Sequence, residues 1–128
     1  MENKKILVID DSVHLLDVLR KRFAFTIQEA NVVTATTGKE GIELARSEKP
    51  DLIILDITLP DIKGDEVLKQ LKKDKNHPET QHIPILILTS HGPEERSKYI
   101  ALGAADYTPS PYDSADLITT VKKYLDVA

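Results

Sequence analysis

Short apolar runs rich in isoleucine, leucine and valine alternate along the chain with longer stretches in which apolar residues recur every three or four positions. The first pattern is typical of buried strands, and the second is typical of amphipathic helices. The apolar runs predict five strands, at residues 5–9, 31–35, 52–55, 83–88 and 104–108. Strands and helices that alternate in this way predict an α/β fold with a parallel sheet.

The helical pattern predicts a helix after each strand, at residues 12–27, 38–48, 64–73, 93–102 and 114–126. In the first helix, the residues expected on the buried face are Val13, Leu16, Leu19 and Phe23. Asp113 is the expected N-cap of the last helix, and Gly103 is expected to end the fourth. The polar segment 74–82 has no periodicity and predicts a surface loop, so His77 and His82 are interpreted as solvated side chains rather than metal ligands.

The composition is that of an ordinary globular protein. Its 128 residues predict a single domain over residues 1–128, with no output domain. The chain has no cysteine, which excludes disulfides and cysteine-based zinc sites. A formal net charge of -4 argues against nucleic acid as a partner, because phosphate binding favours a clustered basic face. No apolar stretch is long enough for a signal peptide or a membrane span, so the expected location is the cytoplasm.

Three aspartates directly follow two of the predicted strands. Asp10 and Asp11 come after the apolar run 6–9, and Asp56 comes after the run 52–55. An unpaired carboxylate is costly to bury, so each aspartate marks the point at which a buried strand reaches the surface. If the two strands are neighbours, three negative charges meet at one edge of the sheet. A hard divalent cation with oxygen ligands is the simplest relief of their repulsion.

Four segments together resemble the receiver domain of bacterial two-component response regulators, of the chemotaxis-regulator type. They are ILVIDDS at residues 6–12, LIILDITLPDIKG at 52–64, ILTS at 87–90 and GAADY at 103–107. The resemblance covers essentially the whole chain. It implies a doubly wound, flavodoxin-like sheet of five parallel strands in the order 2-1-3-4-5, with five helices. It also implies a signalling receiver, not an enzyme, that assists its own phosphotransfer and dephosphorylation.

The resemblance assigns roles to the three aspartates. Asp56 is expected to accept a phosphoryl group from a phosphohistidine on a sensor histidine kinase or a histidine phosphotransfer protein. Asp11, Asp56 and the backbone carbonyl of Thr58 are expected to ligate Mg2+, while Asp10 acts largely through bound water. Magnesium suits such a site because it prefers oxygen ligands and often bridges to phosphate.

Further positions are expected to contact the phosphoryl group or to report its presence. Thr89 is expected to offer its hydroxyl to a phosphoryl oxygen, and the small Ser90 leaves room for that group. Tyr107 is expected to change rotamer on phosphorylation; the alternative is an ordinary amphipathic aromatic on an edge strand. Thr58 and His91 match family positions that flank the path of attacking water, and they are expected to tune dephosphorylation. A plain loop histidine is the alternative for His91.

The sequence departs from the family at one position. Receivers usually carry lysine and then proline after the tyrosine and two variable residues, whereas here Ser110 precedes Pro111. Serine is short and neutral, so we expect weaker stabilisation of the phosphorylated state and a weaker signal. The Ser110–Pro111 peptide bond is expected to be cis, as in the family. Lys63, in the loop after Asp56, is an alternative cation, although an exposed loop lysine is more simply interpreted as solvated.

The partners implied by the resemblance are proteins. In the family, the face formed by the fourth helix, the fifth strand and the fifth helix contacts a downstream protein or a second copy, so the expected state is a monomer or a weak dimer. The residues expected on this face are Arg96, Lys98, Tyr99, Tyr107, Lys122 and Lys123. Their mixed character fits a transient interface.

A phosphorylatable receiver is not the only class of protein that the sequence permits. The main alternative is a pseudo-receiver, a protein-binding module that acts without phosphorylation. The missing lysine favours it, while Asp10, Asp11, Asp56 and Thr89 argue against it. A flavodoxin-like electron carrier is disfavoured because the paired aspartates would repel a flavin phosphate. A small-molecule aspartyl-phosphate hydrolase is disfavoured because the chain has little length for a substrate cap.

Overall fold

Strands and helices alternate throughout the computed structural model, which describes residues 3–28 and 30–127. The parallel strands are β1 (Lys4–Ile9), β2 (Ala30–Ala35), β3 (Leu52–Leu55), β4 (Ile85–Thr89) and β5 (Asp106–Pro109). The α-helices are α1 (Val13–Thr26), α2 (Gly38–Glu48), α3 (Gly64–Lys73), α4 (Arg96–Ala101) and α5 (Ser114–Leu125). The strand order β2-β1-β3-β4-β5 confirms the predicted doubly wound α/β fold.

Helices cover both faces of the sheet and divide the core into two layers. Side chains alternate along a strand, so Leu7 of β1 packs in one layer and Ile6 in the other. The first layer lies under α2, α3 and α4, and the second lies under α1 and α5. Each buried leucine or isoleucine contributes roughly 1.5 to 3 kcal/mol by leaving water. The central strands are therefore fixed firmly, and their carboxyl ends are fixed with them.

Several local predictions are confirmed. The bounds of β3, α2 and α3 agree with the predicted residue ranges. The Asp113 carboxylate caps α5 by accepting hydrogen bonds from the Ala115 and Asp116 backbone N–H groups, at 2.7 and 3.2 Å. Gly103 follows α4 with a φ of 112°, a conformation that favours glycine.

Four local predictions are wrong. The strand β5 begins at Asp106 rather than at residue 104, and it ends at Pro109 rather than at residue 108. Val13 was expected on the buried face of α1 but is 70% exposed, because it is the first residue after the Ser12 N-cap. The strand β4 begins at Ile85 rather than at residue 83, since Pro84 has no N–H to donate to the ladder. The predicted fourth helix is divided into a short 3-10 helix at Pro93–Glu95 and then α4. Such tighter turns are frequent at the N-termini of α-helices.

The segment 74–82 is only partly the surface loop that its polarity predicted. It contains a 3-10 helix at Pro78–Thr80, and the Thr80 side chain is fully buried. The Thr80 hydroxyl donates a hydrogen bond of 2.7 Å to the Leu71 carbonyl, which lies near the end of α3. His77 Nδ1 lies 3.0 Å from a Glu79 oxygen. Because a threonine that is paired with the backbone tolerates burial, polarity alone mispredicted this position.

No helix within the described ranges is both long enough and apolar enough to span a bilayer.

Replacing Thr80 with valine tests the role of its buried hydrogen bond. Thr80→Val keeps the shape but leaves the Leu71 carbonyl without its partner, so we expect the free energy of unfolding to fall by about 1 to 3 kcal/mol. Thr119→Val is the matched control, because that exposed hydroxyl makes a similar bond of 3.0 Å to the Ala115 carbonyl. Urea unfolding measures both. Equal losses in the two variants would contradict the assignment.

Candidate functional site

The register of β1 and β3 brings the three predicted aspartates together. Ile9 is paired with Leu55, so Asp10 and Asp56 leave adjacent strands at the same level. The Asp56 N–H donates a hydrogen bond of 2.9 Å to the Ile9 carbonyl, which continues the ladder to the end of the strand. Carboxylate oxygens of Asp10, Asp11 and Asp56 all lie within 4.8 Å of one another. The predicted acidic cluster therefore exists at the carboxyl edge of the sheet.

A cleft of about 370 Å³ lies over this cluster. Besides the aspartates, its walls carry hydroxyl groups and apolar side chains, contributed by Leu15, Thr58, Leu88, Thr89, Ser90, Ser110 and Tyr112. Among the described residues, neither a lysine nor an arginine lines this cleft. Its side-chain charge is therefore entirely negative.

Asp10 is the most buried of the three carboxylates, at 7% exposure. One of its oxygens accepts a hydrogen bond of 2.8 Å from the Ser12 N–H, at the start of α1. Burial raises the pKa of Asp10 to about 6; the charges of Asp56 and Asp11 add to the rise, and the Ser12 hydrogen bond opposes it. Part of the Asp10 population is therefore protonated in mildly acidic solution.

Asp56 is held by the residue two positions after it. Its Oδ1 accepts hydrogen bonds from the Thr58 N–H at 3.2 Å and from the Thr58 hydroxyl at 3.1 Å. Burial raises the pKa of Asp56, while the hydrogen bonds from Thr58 lower it and the charge of Asp11 raises it further. These bonds fix the orientation of the carboxylate towards the cleft.

The loop after Asp56 is anchored to α2 by a residue that sequence reasoning missed. The Asp61 carboxylate accepts hydrogen bonds from the Gly38 N–H at 2.8 Å and from the Lys39 N–H at 3.0 Å, and these backbone bonds lower its pKa. At the end of the same loop, a Cβ on Gly64 would lie 2.4 Å from the Ile57 Cα, so only glycine fits there. The position of Asp61 in the turn-rich segment before Gly64 was the available signal.

Thr89 and Ser110 lie at the ends of β4 and β5. The Thr89 hydroxyl oxygen accepts a hydrogen bond of 3.0 Å from the His91 N–H, and the Ser110 N–H donates one of 2.6 Å to the Thr89 carbonyl. The Ser110–Pro111 peptide bond is cis, which is the geometry expected for it. Thr89, Ser90 and Ser110 all line the cleft, so this part of its wall carries hydroxyl groups.

Tyr107 and His91 lie outside the lining of the cleft. Tyr107 is 2% exposed, and its hydroxyl donates a hydrogen bond of 2.8 Å to the Gly92 carbonyl. Its ring stacks on that of Tyr99, with centroids 6.0 Å apart. His91 Nδ1 lies 2.6 Å from a Glu95 oxygen. Both tyrosine rings are therefore core groups, which corrects their expected exposure on the outer face of α4, β5 and α5.

Three lining residues were absent from the sequence-based set: Leu15, Leu88 and Tyr112. Leu15 and Leu88 were interpretable only as core residues, because their patterns are those of a helix and a strand. Tyr112 follows the cis proline directly, and this position was its only signal. Lys63, the alternative cation, is exposed and does not line the cleft.

The chemistry of the donor set fits a divalent cation. Three carboxylates share one small region, where burial and then the charges of Asp56 and Asp11 raise the pKa of Asp10. Carboxylate and carbonyl oxygens are the ligands that Mg2+ prefers. The His77 and Glu79 side chains form no such group, since the described residues contain a cluster of possible metal ligands only at the three aspartates.

The fold and the cleft together define a doubly wound α/β protein with an acidic, oxygen-rich site at the carboxyl edge of its sheet. The chain belongs to the response regulator receiver domain family, whose model matches residues 6–122. It is thus a receiver domain of the two-component type.

The chain is similar to curated proteins of two lengths, one about twice its own length and one of nearly the same length. The chain is 37% identical over 126 residues to the alkaline phosphatase synthesis transcriptional regulatory protein PhoP of Bacillus subtilis, covering 96% of this chain and 49% of that protein. It is 33% identical to protein PilH of Pseudomonas aeruginosa, covering 94% of this chain and 97% of PilH. The chain therefore spans about half the length of several curated relatives and nearly all of PilH.

Solved structures agree with this assignment. A CheY-like receiver domain protein from Methanospirillum hungatei superposes with a TM-score of 0.83 at 29% identity, covering 98% of this chain and 95% of that one. The chemotaxis protein CheY4 of Vibrio cholerae superposes with a TM-score of 0.84 at 26% identity, covering 96% of this chain and 99% of that one.

The raised pKa of Asp10 predicts how stability depends on pH in the absence of a divalent cation. The folded state retains a proton up to about pH 6, whereas the unfolded state loses it near 3.8, so the stability contributed by the protonated form is lost as pH rises through this window. Asp10→Asn removes the dependence. We expect this variant to be more stable than the wild type by about 1 to 3 kcal/mol at pH 7.5, and similar to it at pH 4.

Urea unfolding at a series of pH values, with chelator present, measures this difference. Asp17→Asn is the control, because Asp17 is an exposed aspartate of α1 outside the cleft. A constant difference between Asp10→Asn and the wild type from pH 4 to 7.5 would show that folding does not raise the pKa of Asp10.

Proposed function

We propose that the chain is a phosphorylatable receiver in which Asp56 accepts a phosphoryl group from a phosphohistidine. The donor is a sensor histidine kinase or a histidine phosphotransfer protein. The observation that carries the proposal is the position of the Asp56 carboxylate, which lines the cleft within 4.8 Å of the Asp10 and Asp11 carboxylates. Because the Asp56 carboxylate lines this cleft, a side chain of a partner protein that enters the cleft can reach it.

The transfer is a substitution at phosphorus. A carboxylate oxygen of Asp56 forms the new P–O bond as the P–N bond to the donor imidazole breaks, and the imidazole leaves with the electron pair of that bond. Hydrolysis by water later returns Asp56 and phosphate. Asp11, Asp56 and the Thr58 carbonyl would hold Mg2+, with Asp10 acting through water. When bound, the ion supplies positive charge against the phosphoryl oxygens.

The residues at the ends of β3 and β4 support the phosphorylated state. The Thr89 hydroxyl oxygen already accepts the His91 N–H, so its own proton is available for a phosphoryl oxygen. Ser90 lies beside it and is small enough to leave room. Thr58 lines the cleft and is the better placed of the two residues expected to tune dephosphorylation, since the His91 ring is directed to Glu95.

The output of the receiver depends on the segment between β4 and α4. Tyr107 is joined to this segment through the Gly92 carbonyl, and His91 is joined to Thr89. A phosphoryl group that accepts a hydrogen bond from the Thr89 hydroxyl would act on the same short segment. The hydrogen bond from the Tyr107 hydroxyl to the Gly92 carbonyl is therefore the contact that would change. The face of α4, β5 and α5 would then bind a downstream protein through exposed groups such as Arg96, Lys98 and Lys123, as a monomer or a weak dimer. The cytoplasm is the proposed location.

A pseudo-receiver is the second candidate, and one observation favours it. No cationic side chain among the described residues lines the cleft, so a phosphoryl group there has fewer positive partners than in a typical receiver. In that case the same face would bind its partner constitutively.

Incubation with a small phosphodonor such as acetyl phosphate discriminates between the two candidates. The wild type should gain one phosphoryl group when Mg2+ is present and little when it is chelated, because the charge of the cleft is then uncompensated. Asp56→Asn should gain none, and Asp17→Asn should behave like the wild type. Intact-protein mass spectrometry measures the gain. Unmodified wild type at every Mg2+ concentration would decide for the pseudo-receiver.

A further inference from the structure

Tyr112 lies on the wall of the acidic cleft, immediately after the cis peptide bond that ends at Pro111. It lines the cleft together with Asp10, Leu15 and Ser110. The ring is half-buried and packs against the core layer under α1 and α5, which limits its freedom. Tyr112 is thus a fixed aromatic residue beside a negatively charged site.

The hydrogen-bonding capacity of the Tyr112 hydroxyl is not used within the described structure. It forms no hydrogen bond to any residue that the structure describes, whereas the hydroxyls of Tyr107 and Tyr124 donate to backbone carbonyls at 2.8 and 3.0 Å. A phenolic O–H is both a donor and an acceptor. Burial raises the pKa of Tyr112, and the negative charge of Asp10 raises it further, so the group keeps its proton near neutral pH.

We propose that Tyr112 contacts the phosphoryl group: its hydroxyl donates a hydrogen bond, directly or through one water molecule, to a phosphoryl oxygen during transfer to Asp56 and in the phosphorylated form. This inference rests on the proposed function. It assigns to Tyr112 part of the stabilisation that a lysine at position 110 supplies in other receivers. Ser110 lines the same cleft but offers only a short, neutral side chain.

The need for such a donor follows from charge. Phosphorylation adds negative charge to a cleft that already holds Asp10, Asp11 and Asp56 and that has no lysine or arginine among its described lining residues. Hydroxyl donors are then the side chains that remain to meet the phosphoryl oxygens. Thr89 and Ser90 line the β4 side of the cleft, whereas Ser110 and Tyr112 follow β5, so Tyr112 adds a second and longer hydroxyl donor to that side.

A double-mutant cycle between positions 110 and 112 tests the inference. Tyr112→Phe removes one oxygen and keeps the ring, and we expect it to slow phosphorylation by acetyl phosphate with Mg2+ by about 3- to 10-fold, the usual effect of one hydrogen bond. Ser110→Lys should raise the rate. In the Ser110→Lys background, Tyr112→Phe should change the rate by less than about twofold, because the lysine makes the hydroxyl redundant.

Tyr124→Phe is the control for a tyrosine hydroxyl that lies outside the cleft, and it should leave the rate unchanged. Thermal unfolding midpoints of all variants reveal a purely structural role, and Ser110→Arg supplies the same charge if the lysine variant does not fold. Equal rates for the wild type and Tyr112→Phe would overturn the inference, as would an equal loss in both backgrounds. If the wild type is never phosphorylated, the proposed function itself fails and the inference fails with it.

Discussion

The three carboxylates at the carboxyl edge of the sheet set the main constraint on this receiver. Because Ile9 is in register with Leu55, the strand ladder itself brings Asp10 and Asp56 side by side, with Asp11 adjacent. The hydrophobic layers on both faces hold this register against the repulsion. Burial raises the pKa of Asp10, and the charges of Asp56 and Asp11 raise it further. The core therefore maintains an electrostatic tension that a divalent cation can relieve, and the site depends on stability supplied elsewhere in the fold.

The remaining polar side chains that line the cleft carry hydroxyl groups, and none of the described lining residues is a lysine or an arginine. Thr89, Ser90, Ser110 and Tyr112 line it, and Thr89 also accepts a bond from the segment that leads to Tyr107. The proposed phosphoryl site and the hydrogen bond from Tyr107 to the Gly92 carbonyl are thus connected through a few residues after β4. Neutral donors stabilise added negative charge less than an ammonium group does. The phosphorylated state is therefore expected to be less stable, relative to the unphosphorylated state, than in a receiver with lysine.

Most of the fold could be predicted from the sequence, because the apolar runs are short and their β-branched character is clear. The aspartates could be predicted as a cluster, since the ends of neighbouring parallel strands meet at one edge. Burial at single positions was less accessible: Val13 lies one residue too early on its helix, and Thr80 is buried through a hydrogen bond to a distant carbonyl. Tyr112 and Asp61 contribute through contacts with other elements, and the local pattern contains no record of such contacts.

Relief of the crowded carboxylates at this edge by a divalent cation is the property on which the function of the cleft most directly depends. The decisive measurement is the free energy of unfolding at pH 7.5 against Mg2+ concentration at constant ionic strength. We predict a saturable rise in stability, of about 1.4 kcal/mol at ten times the dissociation constant, and a shift to higher concentration in Asp11→Asn. A stability that responds equally to Mg2+ and to a monovalent salt, or identically in the variant, would contradict the account.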